Sequence, residues 1–136
     1  MKKPIQKTLL LLLLFYGVTS LIHNIHNAEF LKDYPNLPES WTRAGVYRAW
    51  VATTAIGVGG WIVMLRGFPR TGLTLLGVYA VVGLFSLGHY VVASFSDHTL
   101  AMNLTILFEV TAAALVLIEV VRQLVSQRGN NLMHGT

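Results

Sequence analysis

The sequence "HNIHNAEF", residues 23–30, closes an otherwise apolar stretch with two histidines, two asparagines and a glutamate. His23, His26 and Glu29 step by three along one side of a helix, a stripe of metal- and proton-binding side chains. Further groups of this kind recur later: Arg48, then Ser86 with His89, then Asn103, Thr105 and Glu109. Imidazole and carboxylate suit zinc, iron, copper or manganese, so His23, His26, Glu29, His89 and Glu109 are the predicted ligands of a divalent transition metal. Two imidazoles at one depth on facing helices, His26 and His89, suit a haem held without covalent attachment, since the chain has no cysteine. There is no HExxH and no Glu-x-x-His pair to make up a di-metal carboxylate set. Arg48, Ser86, Asn103 and Glu109 are the predicted contacts to a small organic ligand.

Glu109 carries the most information. It falls well inside a long apolar block, where an ionised carboxylate costs several kcal/mol, to order of magnitude, unless it is paired, hydrated or protonated. Arg48, His26 and His89 are its available partners. A buried acid beside histidine also suits proton transfer to a lipid-soluble substrate. The competing reading for each residue is structural: a headgroup-level polar side chain for His23 and Asn24, an outward-reaching Arg48, an ion pair of Glu109 with Arg48, a cap for Asp97, a solvated His98, and a polar tail holding His134.

The elements that must position these residues follow from composition. Hydrophobic residues make up 54% and charged residues 12% of the 136. The apolar residues lie in blocks long enough to cross a bilayer as helices. Four spans are expected, at about 8–28, 44–65, 72–93 and 99–121, followed by a polar tail over 122–136, all in one domain. The connections are short, so the expected fold is an all-α, up-down-up-down four-helix membrane bundle. Pro38 suits a first helical turn, and Ser96 or Asp97 suits the cap of the fourth span. Small residues at Ala49, Thr53 and Gly57, at Ala55 and Gly59, and at Gly72, Gly77, Gly83 and Gly88 suit close helix packing. Glu119 has Arg122 three residues on as a partner.

The net charge of +4 comes from residues placed at the ends of spans: Lys2, Lys3 and Lys7, then Arg66 and Arg70, then Arg122 and Arg128. That distribution puts both termini and the 66–70 loop in the cytoplasm of a bacterial inner membrane. It leaves no basic face with interleaved aromatics for nucleic acid. The polar residues above then gather at the outer side. Val18-Thr19-Ser20 has residues small enough for signal cleavage, but the apolar run continues through Leu21 and Ile22, so the first span is expected to be retained. The expected partners are the bilayer and a second copy or a larger membrane complex; a non-catalytic subunit or assembly factor of such a complex is an alternative to the ligand-binding reading.

His26-Asn27-Ala28-Glu29 resembles the start of the motif that names the HXXEE family of small bacterial membrane proteins, with Phe30 where the family has its second glutamate. "GHYVVASFSDHTLAMNLTILFEVTAAALVL" resembles the last hairpin of small bacterial four-span proteins. These resemblances imply a membrane bundle and assign no chemistry. The layout alone is similar to that of emopamil-binding-type sterol isomerases and the sigma-2 receptor, without a shared motif.

Overall fold

The structure, a computed structural model, describes residues 3–133 and the side chains of 6–127. Lys2, His134 and the side chains of Lys3 and Arg128 therefore lie outside the described residues. The described residues form helices, turns and loops with no strand: α1 (Lys3–Glu29), α2 (Arg43–Leu65), α3 (Pro69–Leu84), the short α4 (His89–Val92) and α5 (Leu100–Met133). Four stretches are long and apolar enough to cross a membrane, Gln6–Glu29, Arg43–Leu65, Pro69–Val92 and Leu100–Gln127, which makes this a multi-pass membrane protein. The expected spans are all present. Helix α5 continues twelve residues past the expected end at Val121, so the segment expected as a tail is helical to Met133. Glu119 stabilises that extension by accepting from Arg122 at 2.7 and 2.8 Å and from Gln123 at 2.8 Å.

Close approach at glycine holds the helices together. A Cβ on Gly72 would stand 2.6 Å from the Met64 backbone nitrogen and 2.7 Å from the Gly60 carbonyl oxygen, so the end of α2 lies backbone to backbone against the start of α3. Gly57 accommodates the Tyr79 ring and Gly83 the phenol of Tyr16. Tyr16 donates to the Tyr79 carbonyl at 3.1 Å, tying α1 to α3. Gly59 and Gly88 face open space and Gly77 makes only ordinary contact, so those three do not mark tight seams. Leu9, Leu73, Leu76, Ala112, Ala113 and Val116 are fully buried and form the core of this half, with Tyr16 and Tyr79 at its top. A smaller core of Tyr34, Met102 and Ile106 sits under the two loops at the other end. The remaining faces expose large apolar side chains, among them Leu11, Val18, Val51, Val58, Phe108 and Ile118, as lipid contact requires.

Two boundaries differ from expectation. Helix α2 begins at Arg43, capped by Thr42, whose side chain accepts from the Gly45 amide at 3.0 Å; Pro38 instead closes a turn by accepting from Trp41. Helix α5 is capped by Thr99, which accepts from the Met102 amide at 3.3 Å, while Asp97 closes the preceding Phe95–Asp97 turn through the Ser94 amide. In the third span, the α-helix stops at Leu84 and Phe85–Gly88 tightens into a 3₁₀ segment before α4. At three residues per turn, side chains at i and i+3 eclipse. Ser86 and His89 are thereby aligned.

Candidate functional site

Glu109 lies on α5 at 3% exposure, facing the tightened segment and α1. Ser86 donates to its Oε2 at 2.5 Å, and His23 Nε2 stands 3.6 Å from the same oxygen. The other ring nitrogen of His23, Nδ1, is 3.3 Å from Thr105 Oγ1. That hydroxyl already donates to the Met102 carbonyl at 3.0 Å, so it can only accept from His23, and Nδ1 carries a proton. Nε2 is left to face the carboxylate. A proton taken up there would sit on either the imidazole or the acid. His89 packs edge-on against His23, ring centroids 5.5 Å apart.

Glu109, Ser86 and His89 border a cavity of about 540 Å³ in the gap between α1 and α2, with His23 behind them. Its α1 wall carries Ser20, Asn24 and Asn27, its α2 wall Ala49, Trp50 and Thr53, and its back wall Gly83, Ser86, His89 and Glu109. Of the lining, Ser40, Trp41 and Thr42 before and at the start of α2, and Arg48, Ala49 and Phe85, are exposed. Three buried polar atoms of the wall have no protein partner: Asn27 Oδ1, Trp50 Nε1 and His89 Nδ1. Such groups are costly if left unmade, so a site lined by them favours an occupant with matching donors and acceptors.

Of the predicted residues, the fold brings together His23, Ser86, His89 and Glu109, with Arg48 on the cavity wall. Arg48 is exposed and its Nε donates to the Ala44 carbonyl at 3.3 Å; no ion pair joins it to Glu109. Glu29 is drawn off to α2, where it accepts from Arg43 at 2.7 Å and from Tyr47 at 2.6 Å. His26 turns to the loop and bonds the Tyr34 hydroxyl at 2.9 Å. Asn103 serves the second loop: it accepts from Tyr90 at 2.9 Å and donates to the carbonyls of Phe95 and His98 at 3.1 and 3.3 Å. The five predicted metal ligands are thus split among three places, and among the described residues no three His, Asp or Glu side chains converge as a metal site needs. The ring of Tyr34 contacts both His26 and His89, at centroid distances of 5.7 and 4.9 Å. Burial pushes the Tyr34 phenol up to about 12.

Asn27, Asn24, Ser20 and Trp50 were not among the predicted site residues. Ser20, Asn24 and Asn27 fall at i, i+4 and i+7 in a helix that is otherwise apolar, which is a sequence signal for one polar face. Trp50 gave none. No family model, curated protein or solved structure matches the chain. Fold and site together define the class: an all-α multi-pass membrane protein with a polar cavity built around a buried carboxylate.

Proposed function

We propose that this chain is a ligand-binding protein of the bacterial inner membrane, an up-down-up-down bundle whose cavity between α1 and α2 takes a small organic molecule at Glu109. The observation that carries the reading is the buried Glu109 carboxylate, which accepts from Ser86 and faces His23 with no Lys or Arg paired to it among the described residues, beside a cavity with unpartnered Asn27 Oδ1, Trp50 Nε1 and His89 Nδ1. A volume of about 540 Å³ is that of a site for a drug-sized or cofactor-fragment ligand. The basic residues at Lys7, Arg66, Arg70 and Arg122 support cytoplasmic termini and an outward-facing cavity mouth. Native mass spectrometry of the protein released from mild detergent tests this directly. A bound small molecule is expected on the wild type and lost from Glu109→Gln; a ligand-free wild type, or equal occupancy in both, refutes it.

A second reading, acid–base chemistry on a lipid-soluble substrate, draws support from one feature. The Thr105–His23–Glu109–Ser86 series leaves the Nε2 lone pair of His23 facing the Glu109 carboxylate, which lines the cavity, so the pair could exchange a proton with a substrate there. Under this reading the molecule found on Glu109→Gln would be unreacted substrate, and that found on wild type its isomer.

A further inference from the structure

We propose that the ligand of the cavity is an organic cation, a hydrophobic amine whose ammonium group sits against Glu109. This rests on the cavity being a binding site, and it names the chemical class that site selects.

The argument begins with charge. Among the described residues, Glu109 is the only carboxylate lining the cavity, and no Lys or Arg pairs with it. His23 at 3.6 Å is within ion-pair reach but outside hydrogen-bond distance, and it can act as counter-ion only by taking up a proton. An ammonium entering the cavity supplies that charge directly and leaves the ring neutral, with Nδ1–H still on Thr105. A fixed cation inside a low-dielectric gap is the partner a buried carboxylate lacks.

The walls favour the same class. Four aromatic side chains line the space: Tyr16, Trp41, Trp50 and Phe85. Aromatic faces attract ammonium groups, tryptophan most strongly, and the attraction grows where water is excluded. Asn27 Oδ1 is a buried acceptor without a donor, and Asn27 is 5% exposed. An ammonium carries more than one N–H and can serve both Asn27 and Glu109. Trp50 Nε1 is the matching unpartnered donor, so an amine that also bears an ether or hydroxyl oxygen completes the set.

The other titratable and charged groups around Glu109 do not reverse this preference. Tyr16 on α1 gives its proton to the Tyr79 carbonyl. Tyr79 on α3 and Tyr34 in the loop are phenols, and His89 on α4 packs against Tyr34 and His23. Arg48 on α2 is the one fixed cation on the wall among the described residues; it is exposed, and its Nε is turned back to the Ala44 carbonyl. If Arg48 rather than Glu109 governed selection, the cavity would prefer an anion.

Three probes that share a phenylbutyl chain and differ in head group decide between these outcomes: 4-phenylbutylamine, 4-phenylbutanol and 5-phenylvalerate, each titrated by calorimetry into the full-length protein in a non-ionic detergent. The amine is expected to bind about tenfold or more tighter than the alcohol, the gain typical of a charge-assisted hydrogen bond over a neutral one. Glu109→Gln should bring amine and alcohol within about threefold of each other, because the neutral amide keeps the shape and loses the charge. Ser86→Ala keeps the carboxylate and removes one of its hydroxyl donors, so the preference for amine should persist or grow, and its loss there overturns the proposal should Glu109→Gln fail to fold. Equal affinity for amine and alcohol, tightest binding of the valerate, no binding of any probe, or an undiminished preference in Glu109→Gln each overturns the proposal. Native mass spectra showing a neutral or acidic ligand would overturn it while leaving the binding reading intact.

Discussion

Replacing Gly72 with alanine tests whether the seam between α2 and α3 is as tight as the distances imply. The added Cβ would meet Met64 Cβ at 2.5 Å, the Met64 amide nitrogen at 2.6 Å and the Gly60 carbonyl oxygen at 2.7 Å. Unstrained carbon contacts lie at about 3.5–4.0 Å, so the overlap is about 1 Å on three atoms. Two of those atoms are backbone, and none can rotate away. The helices must therefore part locally, and Leu73 and Leu76, both fully buried, lose part of their packing. Overpacking of this kind costs about 1–3 kcal/mol, and a rigid backbone obstacle puts Gly72→Ala at the upper end. The helix preference of alanine over glycine returns about 0.5–1 kcal/mol. The net expectation is a loss of roughly 2 kcal/mol. Gly59 lies in the same helix pair with nothing within 4 Å of its Cβ position, so Gly59→Ala keeps the gain without the clash. Unfolding in mixed micelles by increasing SDS, followed by circular dichroism, reads both. Gly72→Ala as stable as wild type, or Gly59→Ala as damaged as Gly72→Ala, refutes the close approach.

Asn103→Ala removes three hydrogen bonds at once and leaves the carbonyls of Phe95 and His98 and the Tyr90 hydroxyl to find other partners; a loss of about 2–3 kcal/mol is expected in the same SDS titration, with Asn103→Asp only partly restoring it because the donor is missing. Thr42→Ala strips the cap from α2 and should cost about 1 kcal/mol, while Thr42→Ser stays near wild type; a null effect would show that the Gly45 contact contributes nothing. Tyr34 has its phenol raised by burial from 10.0 to about 12, so the folded state favours the neutral ring. That contribution is intact below pH 10 and lost as pH climbs through about 12, and the alkaline fall in melting temperature should be shallower in Tyr34→Phe than in wild type.

The architecture was legible because its cause is local and cumulative: about twenty apolar residues in a row have few alternatives to a spanning helix. The interruptions were not. Nothing in Leu84-Phe85-Ser86-Leu87-Gly88 forbids an α-helix, and the 3₁₀ tightening there is a tertiary outcome, with Ser86 drawn to Glu109 and the segment packed on α5. Likewise Thr99 displaced Asp97 as the cap of α5 because Asp97 found a nearer amide in its own turn, that of Ser94. Asn36, at φ 56°, bonds the Val92 carbonyl across the two loops, a contact between residues 56 positions apart that no local pattern signals.

The site was half legible, and helix geometry explains which half. Depth identified Glu109, and the i, i+3 spacing linked Ser86 to His89. The same spacing misled in α1. At about 100° per residue, a step of three turns the side chain back by about 60°, and two steps by about 120°. His23 therefore faces α5 and Thr105, His26 faces the loop and Tyr34, and Glu29 faces α2 and Arg43. A stripe that looked like one ligand set is a spiral that serves three neighbours. Steps of four and seven hold direction instead, and Ser20, Asn24 and Asn27 stay within about 60° of one another. These carry no ionisable group, so they drew less notice than the histidines, yet they form the cavity wall. In a helix this apolar, constancy of direction is a better guide to a binding face than the titratability of its residues, and Asn27→Leu, which keeps the volume and removes the acceptor, should weaken ligand occupancy more than His26→Leu does.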